Sequence, residues 1–315
     1  MKRGRVLLAA LAVALDAQAQ LPSFDSDRER LAASLVFPVG RRDFVRKTAE
    51  FCGARFEEVR LPAQIAYAHW VRRHAGFLRM TDDMRRYLTE QANKDAGPKG
   101  AEWKRLLGQT IPQQIEKLSS AATETLAGAP SDEARREMCR STVVSIDRLK
   151  LDLDESDPEL AGYLRGVAAK NGIDVPPRGT DPTAGAPDAR RDAAAVVGRW
   201  RTERVLYYFA DGTEKQTDGT CTLTFASERA ESECNGPRGA YSVRYAFRAS
   251  DSGRYDSQIV DNSANPKATG AQAGGLFRVE GKTLHISVFP LTAAADARQP
   301  VEVESVAVRQ EEDGK

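Results

Sequence analysis

The sequence predicts an α+β protein in two parts, an N-terminal helical bundle and a C-terminal antiparallel β-barrel, joined by a Pro/Gly-rich linker. Three observations carry this expectation. Apolar residues recur at helical spacing up to about residue 173, and alternate at period two from about residue 196. The stretch 174–195 between them holds four prolines and two glycines with almost no large apolar side chain. A length of 315 residues suits two domains, each with a core of its own. The composition, 29% charged and 41% hydrophobic, is that of an ordinary soluble protein. With 46 Lys+Arg against 45 Asp+Glu, the chain lacks the basic surplus of a nucleic-acid binder. Three histidines and four cysteines are too few for a multi-metal enzyme.

The first residues carry the most specific signal. Lys2, Arg3 and Arg5 precede an unbroken apolar run, Val6 to Leu15, and Ala17-Gln18-Ala19 then offers small residues at the positions a signal peptidase reads. A signal peptide over residues 1–19 is expected, cleaved after Ala19. The following residue is Gln20 rather than Cys, so no lipid anchor is implied. The run is too short to cross a hydrocarbon layer of about 30 Å, and no later stretch is long enough for a transmembrane segment in the mature chain. The expected location is therefore outside the cytoplasm, periplasmic or secreted.

The helical domain is placed at 26–173. Segments are expected near Ser26–Val36 and Arg42–Phe56, then from Gln64 to about Ala92 with a break near Gly76 or Thr81. Ala101–Leu126 should be interrupted at Pro112, which has no N–H to donate. Ser131 suits the N-cap of a helix over Asp132 to about Leu151, and Asp157-Pro158 has N-cap and first-turn chemistry for a short helix ending at Asn171-Gly172.

The barrel domain is placed at 196–310. Tyr241, Val243, Tyr245 and Phe247 alternate with Ser242, Arg244, Ala246 and Arg248. A two-residue turn at Gly281-Lys282 pairs Val279 with Leu284 and Phe277 with Ile286. Asp211-Gly212 and Asp218-Gly219 are further turn signals. Val301 and Val303 are out of phase with Val306 and Val308, which predicts a bulge near Glu304-Ser305.

In an oxidising compartment four cysteines favour disulfides, and no CxxC spacing supports a metal or redox site. Three pairings are open in principle. A turn at Ser227-Glu228 sorts apolar from polar residues across two strands and brings Cys221 opposite Cys234. Opposed strand residues lie within disulfide reach, at about 4.5–5.5 Å between Cα atoms. Cys52 and Cys139 both sit among apolar residues of helices. The expected bridges are thus Cys52–Cys139 and Cys221–Cys234.

Gly198-Arg199-Trp200 opens the first β segment. A Gly-x-Trp at the start of an antiparallel domain of about eight strands resembles the lipocalin-like, or calycin, barrels, and Arg309 stands where that family's closing basic residue packs across the Trp. The resemblance spans about 196–310 and leaves the helical domain unrecognised. The family's Thr-Asp-Tyr motif is absent. Asn235-Gly236 after Cys234 is also similar to small META-type β-domains of bacterial envelope proteins.

No GxSxG, HExxH, GxGxxG or phosphate-loop pattern occurs. His69 and His74 lie about 140° apart around a helix, so they read as surface or interface residues rather than paired ligands. Asp152, Asp154, Ser156 and Asp157 lack the Gly and Glu of a calcium loop and read as a capped helix start. Arg72, Arg73, Arg79, Arg85 and Arg86 read as a solvated helix face. No catalytic residue, cofactor or metal is assigned. What remains is the barrel interior, where Trp200, Tyr241, Tyr245, Phe247, Phe277 and Ile286 converge if their face points inward; such barrels are filled by side chains or hold one small ligand. The expected function is an exported, non-enzymatic envelope protein binding a small apolar ligand in the barrel. The alternative is a protein-interaction, inhibitor or assembly module with a solid-packed barrel and an envelope protein as partner.

Overall fold

The computed structural model describes residues 26–177, 181, 183–236, 239–289 and 299–310. The expected signal peptide lies outside them.

Helix α1 spans Asp27–Arg55, and the Ser26 hydroxyl accepts the Glu29 N–H at its start. The two helices expected here are one, running through Pro38. Buried Leu35, Val45, Ala49 and Cys52 continue along it on both sides of the proline, and this packing outweighs the missing hydrogen bond. Helix α2 spans Glu57–Lys94 and is also unbroken, unlike the expectation. Gly76 does not end it; a Cβ there would lie 2.4 Å from the Asp174 carbonyl, so the glycine admits the chain that leaves the bundle. Thr81 donates to the Ser34 carbonyl at 3.0 Å and belongs to the α1–α2 interface.

Helices α3 (Pro98–Arg105) and α4 (Ile111–Ala127) are separated by a π-helical turn at Leu106–Thr110. The wide turn sits just before Pro112, where a regular helix would need an N–H that proline lacks. Helix α5 (Asp132–Asp147) is capped by Ser131, whose hydroxyl accepts from Ala134 N–H at 3.1 Å. Helix α6 (Leu153–Ser156) leads to α7 (Pro158–Lys170), capped by Asp157 through Leu160 N–H. The Cys52–Cys139 disulfide ties α1 to α5 inside a core that also contains Tyr67, Trp70, Val143 and Ile146.

Two expectations for α2 are corrected. His74 is a core residue: its ring stacks on Trp70 at 3.9 Å, its Nδ1 meets the Trp70 carbonyl and its Nε2 accepts the Leu153 N–H. Of the five arginines Arg86 is exposed and pairs with Asp83, but Arg72, Arg73 and Arg85 do not lie on a solvated face. Arg73 makes a buried two-pronged bridge to Asp152, Arg85 donates to the Leu35 carbonyl, and Arg72 reaches into the barrel wall. A helix running between two packed bodies uses its polar positions as clasps on both sides.

After the short helix α8 (Ala193–Val196), the strands are β1 (Gly198–Phe209), β2 (Glu214–Asp218), β3 (Cys221–Phe225), β4 (Arg229–Gly236), β5 (Gly239–Ala249), β6 (Arg254–Asn262), β7 (Gln272–Glu280), β8 (Thr283–Phe289) and β9 (Pro300–Arg309). Each pairs antiparallel with its neighbour, and β9 returns to β1 to close the sheet. β2 and β3 share one edge of β1, at residues 204–208 and 198–201, so the barrel has eight strand positions. The register through Cys221↔Cys234 and Phe225↔Ala230 is the expected one, as are Val279↔Leu284 and Phe277↔Ile286. The Cys221–Cys234 disulfide joins β3 to β4.

The expected bulge in β9 is elsewhere. Pairing of β9 with β8 runs without a slip from Thr283↔Val308 to Val288↔Val303. The slips lie in the β1–β9 seam, where Glu203 of β1 and Val301 of β9 are the extra residues. The valines change phase because both faces of β9 are covered, so each face accepts an apolar residue.

The end of the linker lies along the barrel: Arg190 and Val279 exchange backbone hydrogen bonds at 2.8 Å, and Ala186 N–H donates to Glu280. Helix α2 lies against the outside of β7, β8, β9 and β1. Ile65 and Ala68 pack with Phe289, and Leu61 occupies the space over Gly274, where a Cβ would come within 2.6 Å of it.

Candidate ligand-binding site in the barrel

One end of the barrel is sealed. Trp200 has no solvent exposure, and its indole N–H donates to the Val196 carbonyl of α8 at 2.8 Å. The Arg309 guanidinium lies 4.2 Å from the Trp200 ring centre and donates to the carbonyls of Ala195 and Val197. Gly198 has φ 133°, and a Cβ on it would lie 2.8 Å from Arg309 Nη1, so glycine is what lets the arginine cross the indole. The Gly-x-Trp and the terminal basic residue thus form the lipocalin-like base that the sequence resembles.

Above the base, aromatic rings fill the interior. Phe225 and Phe247 lie 5.1 Å apart between ring centres, and Phe247 and Tyr255 5.2 Å. Phe277, Val279, Leu284, Ile286 and Ala307 complete one buried cluster with them. Tyr255 lies across Gly275, where a Cβ would meet its ring at 2.7 Å, and its hydroxyl donates to the Ser287 carbonyl. Burial pushes that hydroxyl's pKa up.

Toward the other end the filling stops. Cross-strand partners share a face, so the register places Val205, Tyr207, Tyr241, Val243, Tyr245, Ile259, Val288 and Val303 on the inner wall. Of these only Val243 is buried; Val288 is exposed, at 38%, and the others are half-buried. Inward-facing side chains keep contact with solvent at this end, the mouth of the barrel. Its wall combines these apolar side chains with the phenols of Tyr207, Tyr241 and Tyr245, and the register adds Ser232, Ser257, Asn262 and Ser305 to the same face.

Of the residues singled out from the sequence, Trp200, Phe247, Phe277 and Ile286 come together in the packed cluster, with Tyr245 at its margin. Tyr241 stands at the mouth, opposite Cys234. Val205, Tyr207, Ile259, Val288 and Val303 escaped sequence reasoning. The Glu203 bulge reverses parity along β1, so Val205 and Tyr207 face inward although Trp200 is even-numbered.

The outer side of the same wall carries a buried charge cluster. Glu302 and Glu304 of β9 meet Arg72 at 3.1 and 3.5 Å. Glu304 also contacts His285 at 2.9 Å and Arg278 at 3.2 Å, and Ser287 donates to Glu302 at 2.7 Å. Burial raises the Glu302 carboxyl above the ordinary range against the pull of Arg72. Burial acts the same way on Glu304, but the His285 hydrogen bond and the charges of Arg72 and Arg278 together outweigh it and hold that carboxyl at about 2. Among the described residues, no group of three His, Cys, Asp or Glu is placed to hold a metal, and no helix is long and apolar enough to cross a membrane.

No family model and no curated protein matches the sequence. Among solved structures, a lipocalin-like protein from Bacteroides uniformis is similar over 37% of this chain and 99% of its own, at 10% identity and a TM-score of 0.26. An uncharacterized protein from Bacteroides eggerthii is similar over 36% of this chain and 98% of its own, at 14% identity and a TM-score of 0.24.

Proposed function

We propose that the chain is an exported, non-enzymatic envelope protein that binds one small apolar or amphipathic ligand in the mouth of its lipocalin-like barrel. The carrying observation is the gradient of exposure along the inner wall, from Trp200 with none to Val288 with 38%. The rings of Phe247 and Tyr255 set a floor, so the ligand is compact rather than a long acyl chain. Tyr241, Tyr245, Tyr207 and Val303 touch it, while Trp200, Phe247, Phe277 and Ile286 support the floor. A mostly apolar wall with a few polar groups is the usual lining of a small-molecule site. Two disulfides and the N-terminal charge, apolar run and Ala-x-Ala support export.

The test is titration of the full chain with 1-anilinonaphthalene-8-sulfonate. Saturable one-to-one binding is expected, and Val303→Glu, which places a negative charge in the mouth against the sulfonate, should weaken it at least about tenfold, or 1.4 kcal/mol. Absence of saturable binding, or equal binding by the variant, overturns the reading. An interaction module then takes its place, favoured by the groove of about 730 Å³ between Leu61-Pro62 of α2 and the outer face of β5–β7.

A further inference from the structure

We infer that helix α2 sets the affinity of the mouth from outside the barrel, with Arg72 as the positioning residue, an inference that rests on the binding reading above. Neighbouring residues of a strand face opposite ways. Tyr207 and Val303 therefore line the mouth while Tyr208, Glu302 and Glu304 stand directly behind them. Arg72 holds all three: its Nη1 lies 3.1 Å from Glu302 and 3.5 Å from Glu304, and its guanidinium stacks 4.1 Å from the Tyr208 ring centre. The Tyr208 hydroxyl donates to Glu304 at 3.1 Å. One side chain of α2 thus bridges β1 to β9 on the back of the wall that faces the ligand.

That wall is one where the barrel needs an external brace. β1–β9 is the closing seam, and its ladder slips at Glu203 and again at Val301, one on each side of the clamp. A bulge leaves a residue unpaired and bends its strand, so backbone pairing alone defines the curvature of this seam less tightly than that of the β4–β5 pair, which runs without a slip from Arg229↔Ala246 to Gly236↔Gly239. The clamp is also dry: the Arg72 side chain is 10% exposed and those of Glu302 and Glu304 are 1% and 2%. A buried ionic network is a poor source of net stability, and its best-attested use is to hold one geometry among several.

The experiment compares the wild-type chain with Arg72→Lys, with Arg72→Met and with Arg72→Met/Glu302→Gln/Glu304→Gln. The triple variant leaves no unpaired buried charge and keeps the comparison open where the single Met variant unfolds. Two quantities are read: affinity for 1-anilinonaphthalene-8-sulfonate, and amide hydrogen exchange of residues 203–209 and 300–305 against residues 229–249. The triple variant should bind roughly tenfold more weakly, the scale of a coupling energy carried through packed side chains. Its seam amides should exchange faster while those of 229–249 stay at their wild-type rates. Arg72→Lys, which keeps the charge but cannot bridge in two directions, should fall between. Wild-type exchange at the seam, or wild-type affinity in a folded triple variant, overturns the inference. If the wild-type chain binds no fluorophore, the binding reading falls by itself, and exchange at the seam still decides whether Arg72 braces the wall.

Discussion

The two ends of the barrel are built from the same strands and differ in what those strands point inward. At the base the inward residues are Trp200, Phe225, Phe247, Tyr255 and Phe277, whose rings meet across the interior. At the mouth Val205, Val243, Ile259, Val288 and Val303 stand beside Tyr207, Tyr241 and Tyr245, and most of these side chains keep contact with solvent. The difference teaches that one alternating pattern serves for a packed core or for a wall in contact with solvent, and that whether the inward side chains meet across the interior decides which.

The comparison can be broken first at the base. Trp200→Ala removes a fully buried indole together with its hydrogen bond and its stacking partner, and should cost about 3–5 kcal/mol in urea denaturation. Next comes the Cys221–Cys234 bridge beside the mouth. Replacing both cysteines with Ser should cost about 3 kcal/mol by the chain-entropy argument for a separation of 13 residues, and should weaken fluorophore binding along with stability. A loss of stability with unchanged binding would show that β3 and β4 keep the mouth's shape without the cross-link.

Acid should act on the two halves of the molecule in sequence. His74 is held at about 4 in the folded chain, chiefly by burial, against an ordinary 6.5. The unfolded chain therefore takes up a proton that the folded chain refuses, and stability falls as pH drops from 6.5 toward 4, by on the order of 2–3 kcal/mol. Glu304 is held at about 2 against an ordinary 4.5, so its contribution is complete above pH 4.5 and is lost as pH falls toward 2. Burial holds His69 at about 4 as well, so in urea midpoints at pH 7, 5 and 3 His74→Gln should remove only part of the first fall, and Glu304→Gln should flatten the second. The smallest effect is expected at the mouth, where Tyr207→Ala should cost less than about 1 kcal/mol, because a half-buried ring gives up little packing. A cost equal to that of Trp200→Ala would mean that the mouth is packed as the base is.

The β half was legible in detail because period-two alternation and turn residues act locally. The Cys221↔Cys234 register and the Gly281-Lys282 hairpin follow from a few neighbours each. What was not legible depends on contacts between distant segments. The chain between Val36 and Arg42 reads as a helix break until Leu35 finds α4 to pack against, and Val45 and Cys52 find α2 and α5. Arg72 and Arg73 read as solvated until Glu302 and Asp152 are brought to them from about 230 and 80 residues away along the chain. The mouth was half legible: Tyr241 and Tyr245 share the parity of Phe247, whereas Val205 and Tyr207 lie beyond a bulge that leaves no local signature.

The seam between β1 and β9 also bears on how the molecule assembles. Every other pairing of the barrel joins strands close in sequence, so each can form by closing a short loop. Trp200 and Arg309 meet only after about 100 residues of chain have been brought round, at an entropic cost that short hairpins do not face. Among the contacts within the barrel, the cation over the indole is thus the last to become available, and it latches a nearly complete sheet. An intermediate lacking it would show two unpaired strand edges and an unfilled base, the surfaces through which barrels associate wrongly. An oxidising compartment would help such an intermediate, since the Cys221–Cys234 bridge can lock its hairpin before the ring is closed.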